Sequence, residues 1–537
     1  MLKERNFLCV VLFACLGIFL SILYFNNPIH DFGNYYFGSR FALQGKSIHD
    51  IYEPYRFNLL IRELPDLQGQ QFLENYAVVP PFTLLFYILF TFTGIYKAKF
   101  LFNVFSVLVF CFFLLRLLKR LEIHSALVFL LPFLLIIPFR NNLLFGQTYL
   151  LLTGFLMGGF LSEEKKKSVV AAIFYSLAIA LKISPAILLF YLLARKNFKV
   201  FSLVILFSSL FFLSAVYFTG WNFMQEYLFD FIPRMSANEI NNPYATTYQS
   251  ITVLLRNLFK PDLLLHPAAP FNSIFAFNIL GGLLTGILFF FFARQLLMTK
   301  DHFSLFSFTL LSGCLFTAYT SSYSLIFLLP FCIDVIRNKT KAESPASDFK
   351  ASRNMLTSRG IFLILVFFIC TIPVSAFQSL PLLLRFPRLY LLLILFFIYG
   401  SIQKFKKSDL KWLGLSILVF ISGSMLISKP ADQSNYFLDQ EISYISYDFK
   451  FNGKELVLKT LDENGPHEKF FALQDSVKTL EDVSLTNNQI NFHDLVTTWK
   501  DHKRNPVLVN HKEIVYLSDQ NRGIGFYALR KIAVQIK

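Results

Sequence analysis

Residues 7–25 read FLCVVLFACLGIFLSILYF, an uncharged run that decides the class of fold. A helix needs about 18 or more apolar residues to cross the hydrocarbon core of a membrane, and this run is long enough. Similar blocks recur as far as WLGLSILVFISGSMLIS at 412–428, and 55% of the 537 residues are hydrophobic while 16% are charged. Because backbone groups cannot stay unpaired in lipid, these blocks predict an all-α polytopic membrane bundle.

The first apolar run could instead belong to a secretory signal peptide, since it follows the basic start MLKER. It is longer than the apolar region of a typical signal peptide, and ILYFNNPIHD after it lacks a small-x-small cleavage site. We therefore expect a first helix that is retained in the membrane.

The formal net charge of +16 is concentrated in short segments between apolar blocks. These segments are LLRLLKRLEIH, SEEKKKS, ARKNFK, IRNKTKAE and IQKFKKSDLKW. Basic short loops are typical of the cytoplasmic side of a membrane protein. The distribution therefore indicates membrane topology, and it argues against nucleic acid as a partner.

Taking the basic loops as cytoplasmic gives about 13 transmembrane helices with the N-terminus inside. Outer loops are then expected at 26–77 and 220–272. An odd number of crossings is needed between 78 and 118, so one element there, with 80–92 as the candidate, is expected to be re-entrant. The first domain, a multi-pass transmembrane domain, covers 1–428, with the protein in the cytoplasmic (inner) membrane.

The segment 429–537 differs in kind, because it is polar and its apolar runs are short. Alternating stretches such as KELVLKTL, PVLVN and KEIVYLSD predict strands. At roughly 100 residues it is large enough to fold alone, so we expect a small β-rich extracytoplasmic domain. It carries no recognisable nucleophile, metal cluster or phosphate loop, which suggests an accessory role.

A polar, aromatic stretch, NNPIHDFGNYYFGSRFALQGKSIHDIYEP, follows the first apolar run at 26–54. It predicts a short amphipathic helix over 34–45, with Asp31 just before it and Gly45 just after it. Asp31 has two interpretations: a helix N-cap, or a carboxylate held at the bilayer surface that acts as a general base.

Two further outward-facing segments contain polar groups among apolar residues. FRNNLLFGQTYLLL places Arg140, Asn142 and Gln147 at a helix start, and AIALKISPAILLFYLL places Lys182 beside the helix break at Pro185. An ionisable residue within membrane segments is a functional candidate by default, while snorkelling to the interface is the alternative.

Together these segments resemble the family-87 glycosyltransferases, polytopic enzymes of the GT-C superfamily. The resemblance rests on DFGNYYFGSRFALQGKSIHDIYEP, VPP at 79–81, FGQTYLLL at 145–152 and LKISPAILLFYLLARK at 181–196, in this order. TTYQSITVLLRNL at 246–258 resembles a further segment of the family, and the resemblance covers about 7–340.

The resemblance implies a transferase that moves a hexose, typically mannose, from a polyprenyl-phosphate donor on the outer face of the cytoplasmic membrane. The acceptor would be a hydroxyl of a lipid-linked or cell-envelope glycan. An acidic residue in the first outer loop serves as base in such enzymes, and Asp31 occupies the matching position. One departure is YTSSYSLIFLLP at 319–330, which has Tyr323 where the family often has a Ser-Pro-x-Ser-Trp segment followed by histidines.

A donor of this kind releases a phosphate, which needs cations to receive it. The expected phosphate neighbours are Lys182 and Arg40, with Arg140, Arg234 and Arg256 in reserve. The expected sugar or acceptor contacts are Tyr35, Tyr36, Asn142, Gln147, Gln249 and Tyr323. Tyr52 and Trp221 are further candidates for stacking on a sugar, although interfacial aromatic belts are the commoner use of such residues.

We expect a single displacement that inverts the anomeric carbon, without a cofactor. We also expect the reaction to be metal-free, because no DxD-type acidic pair marks a nucleotide-sugar metal site. The six cysteines lie in apolar segments without CxxC spacing and predict neither a disulfide nor a zinc site. A multi-pass transporter or flippase of a lipid-linked or small polar substrate is the main alternative. A lipid-binding or assembly protein without catalysis is the second.

Overall fold

A computed structural model gives the fold of the chain. It describes residues 2–27, 29, 31–64, 79–123, 125–236, 242–262, 266, 268–317, 319–337, 349–400, 409–427, 437, 446–462, 465–480, 483–486, 489–492, 495–497, 503–519, 525 and 527–534. Part of the predicted outer loop 26–77, namely 65–78, lies outside the described residues, as do the basic segments 338–348 and 401–408.

Most of the described chain is helical. The α-helices are α1 Leu2–Leu23, α2 Asp31–Leu43, α3 Ile48–Ile51, α4 Pro54–Arg62, α5 Pro81–Tyr87, α6 Ile95–Arg120, α7 Leu131–Leu134, α8 Ile136–Phe145, α9 Tyr149–Glu164, α10 Ser168–Leu181, α11 Leu188–Ala194, α12 Phe198–Thr219, α13 Trp221–Glu226, α14 Ile232–Ser236, α15 Ile251–Phe259, α16 Ile274–Met298, α17 His302–Phe316, α18 Leu329–Ile336, α19 Phe349–Thr371, α20 Pro387–Gly400 and α21 Asp409–Ile427. Short 3-10 helices cover Ile88–Phe90, Ala126–Leu130, Ser184–Ile187, Ser322–Leu328, Val374–Phe377 and Leu382–Arg385, and Tyr227–Phe231 is a π-helix.

Four helices of the described chain are long and apolar enough to cross a membrane: most of α1, α6, α12 and α16. A fifth span is formed if Ala126–Leu134 and Ile136–Phe145, which meet at a 45° bend, count as one. A further set of apolar helices has 10–17 residues each, including Ser168–Leu181 and His302–Phe316. The predicted helical bundle is therefore present, while the expected count of about 13 transmembrane helices is not confirmed.

The segment Pro81–Phe90 is one of these shorter helices. At 1.5 Å per residue it is about 15 Å long, half of the roughly 30 Å hydrocarbon core. The Thr83 hydroxyl donates to the Leu181 carbonyl at 2.8 Å, and the Thr93 carbonyl accepts from the Tyr36 hydroxyl at 2.8 Å. The segment thus packs beside α2 and the end of α10, and its re-entrant course stays a prediction.

Helices α16 and α21 pack closely through two glycines one turn apart. A Cβ on Gly282 would lie 2.5 Å from the Cα of Ile421, and one on Gly286 would lie 2.7 Å from the Cα of Ile417. The Ser416 hydroxyl donates to the Gly286 carbonyl across the pair at 2.8 Å. Small residues spaced by four let two membrane helices approach each other, which is how this pair forms.

The helical bundle has two ends of different character. One end carries Asp31 and is called here the Asp31 end. At the opposite end Glu163 is buried and pairs with Arg195 at 3.2 Å, while Glu164 lies 3.9 Å from Arg120. The exposed run Lys165 to Lys167 belongs to this opposite end. Exposed lysines and paired arginines therefore lie at the end of the bundle opposite to Asp31.

The C-terminal segment is β-rich, as predicted. Its strands are β1 Ser446–Asn452, β2 Glu455–Asp462, β3 Gly465–Ala472, β4 Thr479–Leu480, β5 Ser484–Thr486, β6 Gln489–Phe492, β7 Leu495–Val496, β8 Lys503–Val509, β9 Glu513–Ser518 and β10 Ala528–Ala533. The described strands form three antiparallel sheets with the orders β1-β2-β3, β10-β9-β8-β4 and β5-β6-β7.

Strand β9 is the centre of this domain. Val515 and Leu517 face one apolar cluster, which includes residues of β1 and β2. Ile514 and Tyr516 face a second cluster with Ile490 of β6. Because alternate side chains of a strand point to opposite faces, β9 is buried on both. The segment therefore has its own hydrophobic core.

Candidate active site

Asp31 is the first residue of α2, so the helix begins earlier than the predicted 34–45 and ends earlier, at Leu43. Its carboxylate is half-buried and lies in the first turn, where the helix dipole stabilises negative charge. The side-chain amide of Gln147 donates a hydrogen bond to this carboxylate. A group from the middle of the chain is thus bound directly to the first outer loop.

Gln147 reaches Asp31 because α8 ends in a left-handed turn. Gly146 has φ 64°, a conformation that glycine adopts without strain, and the Gln147 N–H donates to the Asn142 carbonyl at 2.8 Å. A Cβ on Gly146 would lie 2.5 Å from the Cβ of Phe32. The FGQ sequence therefore allows α8 to approach α2 and presents Gln147 beside Asp31.

Lys182 lies in the break between α10 and the 3-10 helix Ser184–Ile187, where Pro185 prevents a continuous helix. Its ammonium group donates to Oε1 of Gln147 at 3.3 Å and sits 4.5 Å from the ring centroid of Tyr149. The cation therefore lies between an amide oxygen and an aromatic face.

Tyr35 completes the set of hydrogen bonds around Gln147. Its hydroxyl donates to the same Oε1 atom at 2.8 Å, and burial raises the pKa of the phenol well above its ordinary value, with smaller contributions from Tyr87 and Asp31. Tyr35 therefore stays protonated and remains a donor. The Gln147 side chain, 4% exposed, thus contacts a carboxylate, an ammonium and a phenol at once.

Aromatic rings extend the site away from Lys182. Tyr149 and Tyr323 lie with their ring centroids 5.4 Å apart, and Phe327 lies 5.3 Å from Tyr149 on another side. The Tyr323 carbonyl accepts from Nδ2 of Asn142 at 2.9 Å. The segment 319–330, where the chain departs from the family pattern, therefore contacts the same cluster.

Comparison with known families gives the class of protein. Residues 78–322 match the model of glycosyltransferase family 87. Over this segment, which is less than half of the chain, the protein is similar to the family-87 glycosyltransferases. Neither the curated proteins nor the solved structures gave a match to the chain. The resemblance drawn from the motifs is confirmed over 78–322, and the match supports a glycosyltransferase enzyme.

The matched segment contains most of the cluster around Gln147, including Asn142, Tyr149 and Lys182. Asp31 and Tyr35 precede it and come from the first outer loop. The cluster around Gln147 therefore joins residues of the matched segment to residues outside it.

Asn142 has a different place from the one expected for a sugar contact. Its side chain is fully buried and donates to the carbonyls of Pro138 and Tyr323, while its Oδ1 accepts from the N–H of Leu150 at 3.3 Å. These bonds hold α8 against α9 and the 319–330 segment. Asn142 thus orients the turn that carries Gln147.

Arg40 and Tyr36 lie farther along α2. Nine residues separate Asp31 from Arg40, which is about 13 Å along a helix axis. The Arg40 guanidinium is 5.9 Å from the ring centroid of Tyr36, whose hydroxyl donates to the Thr93 carbonyl. The described contacts do not bring Arg40 to the Gln147 cluster.

Gln249 and two of the predicted arginines also lie outside this cluster. Gln249 is fully buried and donates to the Thr246 and Arg385 carbonyls, while its Oε1 accepts from the Arg388 N–H at 3.2 Å. Arg256 is buried beneath Tyr244, 5.9 Å from its ring centroid. Arg140 is exposed.

The remaining predicted residues, Tyr52, Trp221 and Arg234, have three different environments. Tyr52 is buried and donates to the Val79 carbonyl, whereas Trp221 is 54% exposed. Arg234 pairs with Asp519 of the C-terminal segment at 3.1 Å.

Tyr149 is the site residue that sequence reasoning did not single out. It lies two residues after Gln147 in FGQTYLLL, so an aromatic next to a polar motif at a helix start was the available signal. Among the described residues, no group of three or more His, Cys, Asp or Glu side chains is placed to hold a metal ion.

Proposed function

We propose that the protein transfers a hexose from a polyprenyl-phosphate donor to a hydroxyl of a lipid-linked or cell-envelope glycan. Asp31 acts as the base and Lys182 receives the donor phosphate. The sugar, mannose by resemblance to the family, and the inverting course belong to the same proposal. It gives a substrate and a mechanism to the membrane glycosyltransferase class.

The observation that supports it most is the chain of contacts from Asp31 through Gln147 to Lys182. A transfer between two oxygen atoms needs a proton acceptor on one side of the anomeric carbon and a cation near the leaving phosphate. One amide side chain here holds a carboxylate and an ammonium group that come from distant parts of the chain. The Gln147 side chain thereby links the proposed base to the proposed phosphate-binding cation.

In the proposed step the acceptor hydroxyl oxygen attacks the anomeric carbon of the donor sugar. The bond from this carbon to the phosphate oxygen breaks, and its electron pair leaves with the polyprenyl phosphate. The hydroxyl proton passes to the Asp31 carboxylate. The phosphate is stable as an anion, so it needs a cation rather than a protein acid, and the Lys182 ammonium supplies that charge.

The proposed location is the extracytoplasmic face of the cytoplasmic membrane. The exposed lysines at 165–167 and the Arg120–Glu164 and Arg195–Glu163 pairs lie at the end opposite to Asp31. Cytoplasmic loops carry an excess of Lys and Arg. A lipid-linked donor has its tail in the bilayer and its sugar at the interface, which suits a site where outer loops meet membrane helices.

The decisive experiment measures transfer from a radiolabelled polyprenyl-phosphate sugar by the wild type and by Asp31→Asn and Asp31→Ala. We expect kcat to fall by about 100- to 10,000-fold in both variants, because a general base contributes factors of this order. Asp50→Asn is the matched control, since it removes a carboxylate from the same outer loop at a residue that caps α3. It should retain kcat.

Two results would contradict the proposal. Full transfer by both Asp31 variants would remove Asp31 as the base. Absence of transfer from any such donor by the wild type, together with ion-coupled flux of a substrate across vesicles, would favour a transporter.

A further inference from the structure

The C-terminal β domain contacts the second outer loop through a buried ion pair. The Arg234 guanidinium lies 3.1 Å from the Asp519 carboxylate, and these side chains are 7% and 0% exposed. Arg234 also donates to the Asp519 carbonyl at 3.3 Å. A charge buried in this way is tolerated only while its partner is present. The contact therefore holds the second outer loop against the β domain.

The same domain also contacts the first outer loop. The N–H of Gly525 donates to the Asp519 carboxylate at 2.9 Å, and Gly525 has φ 80°. A Cβ at this position would lie 2.6 Å from the ring of Pro54, the first residue of α4. One carboxylate thus binds the second outer loop directly and orders the turn that presses on the first.

Tyr527 extends this interface beside α4. It is 1% exposed, and burial raises the pKa of its phenol well above the ordinary value, with Glu53 and Asp519 adding to the shift. Glu53 is itself 1% exposed and accepts the N–H of Arg56 at 2.7 Å. Charged groups of the loop and the domain therefore share one closed interface.

The two outer loops also pack on each other beneath the domain. The ring of Tyr52, next to Glu53, lies 4.9 Å from Phe231 and 5.5 Å from Phe223. His49 of α3 lies 2.9 Å from the carboxylate of Glu226 in α13. The segment 48–62, which continues directly from the helix that carries Asp31, is thus held between the second outer loop and the β domain.

We propose that the β domain acts as a clamp on the active site, in which Asp519 is a positioning residue that holds both outer loops together over the Asp31 end. The proposal gives the expected accessory domain a part in substrate binding, because the segment 48–62 follows the helix that carries Asp31. The structural part of the inference depends on the contacts alone. Its kinetic part rests on the proposed glycosyl transfer.

The test compares Asp519→Asn with Asp448→Asn in the full-length protein in lipid nanodiscs. Asp448 also pairs with a cation, Lys459 at 3.3 Å, but this pair lies on the exposed surface of the β domain. We expect Asp519→Asn to speed amide hydrogen exchange in 48–62 and 221–236 by about 10- to 100-fold, as loss of one partner of a buried pair implies. Strands β8 to β10 should keep their protection, and Asp448→Asn should match the wild type.

The kinetic arm separates positioning from general destabilisation. We expect KM for the acceptor to rise about tenfold in Asp519→Asn with kcat within about twofold of the wild type, because uniform binding is lost and the chemical step is not. The charge-swapped double variant Arg234→Asp with Asp519→Arg should recover part of the loss. If Asp519→Asn does not fold, Arg234→Lys is compared with the wild type in the same exchange and kinetic assays. This variant keeps a cation beside Asp519.

Wild-type exchange in both outer loops of Asp519→Asn would overturn the clamp. Faster exchange with an unchanged KM would show that Asp519 holds the outer loops in place but has no effect on substrate binding. Because exchange is measured without substrate, failure of the proposed transfer reaction would leave the clamp standing, and the two proposals are judged separately.

Discussion

At the scale of the residue, Gln147 decides how the candidate site is organised. Its amide group donates to Asp31, and its carbonyl oxygen accepts from Lys182 and Tyr35. A glutamine can do this because its side chain has a donor end and an acceptor end. The motif FGQTYLLL identified the residue, but as a sugar contact; the structure shows it bound to other side chains of the site.

Lys182 gives a prediction for donor use. Its ammonium group donates to Gln147 and lies over the ring of Tyr149. We expect kcat/KM for the polyprenyl-phosphate donor to fall by about 10- to 100-fold in Lys182→Met, because a hydrogen bond to a charged group contributes about 1.5–3 kcal/mol.

The variant Lys182→Arg is the control, because arginine keeps a cation at this position. Its kcat/KM for the donor should lie between the values for the wild type and Lys182→Met. An equal loss in both variants would show that the donor does not depend on the charge at this position.

Gly146 gives a prediction about the turn that carries Gln147. In Gly146→Ala a side chain must adopt φ 64°, which costs about 1–2 kcal/mol, and its Cβ meets Phe32 at 2.5 Å. Gln147 is then displaced from Asp31, so we expect kcat to fall by about 10- to 100-fold as well. Thermal unfolding and the transfer assay measure the two effects.

Gly45→Ala is the control for this substitution. Gly45 also has a positive φ, 71°, but a Cβ there has no atom within 4 Å. The control therefore carries the backbone strain without the clash. If both variants lose activity equally, close packing at Gly146 is not what places Gln147.

At the scale of the element, the apolar pattern located the helices, and their breaks required the structure. The predicted helix after 34 begins at Asp31, and Pro185 ends one helix beside Lys182, as the sequence suggested. Several helices between the long spans are short, and Ala126–Leu134 and Ile136–Phe145 meet at a 45° bend. Length and hydropathy therefore did not give the number of transmembrane helices. Which short helix crosses and which turns back depends on neighbouring elements.

The packing of α16 on α21 gives a prediction at this scale. In Gly282→Ala the new Cβ would meet the Ile421 backbone at 2.5 Å, so the helices must separate. Such overpacking typically costs about 1–3 kcal/mol, and we expect a lower thermal unfolding midpoint in detergent. Gly281→Ala is the matched control, because its nearest neighbour would be 3.7 Å away. An equal midpoint for the two variants would contradict close packing at Gly282.

At the scale of the whole molecule, the two ends of the bundle carry different charges, and the β domain packs at the Asp31 end through Asp519 and Gly525. The same face therefore holds the candidate site and the C-terminal domain. The sequence-based topology places 26–77, 220–272 and 429–537 on one side of the membrane, and this stays a prediction.

This arrangement predicts the result of surface labelling in intact cells. A membrane-impermeant maleimide should label Glu468→Cys, which is exposed in the β domain, and should not label Lys165→Cys, which is exposed at the basic end. Both should react after the membrane is permeabilised, and the unmodified chain gives the background from its own cysteines. Labelling of Lys165→Cys alone would place the candidate site in the cytosol.

The sequence by itself determined that this is a helical membrane protein with a β-rich C-terminal segment, and its motifs predicted the similarity to the family-87 glycosyltransferases. Local properties carry these conclusions, since apolar length, strand alternation and basic loops are set by neighbouring residues. Only the tertiary structure decided that Asp31, Gln147 and Lys182 meet, and that Asp519 binds Arg234. These contacts join residues 35 to 285 positions apart, and such contacts depend on how helices and loops pack in three dimensions.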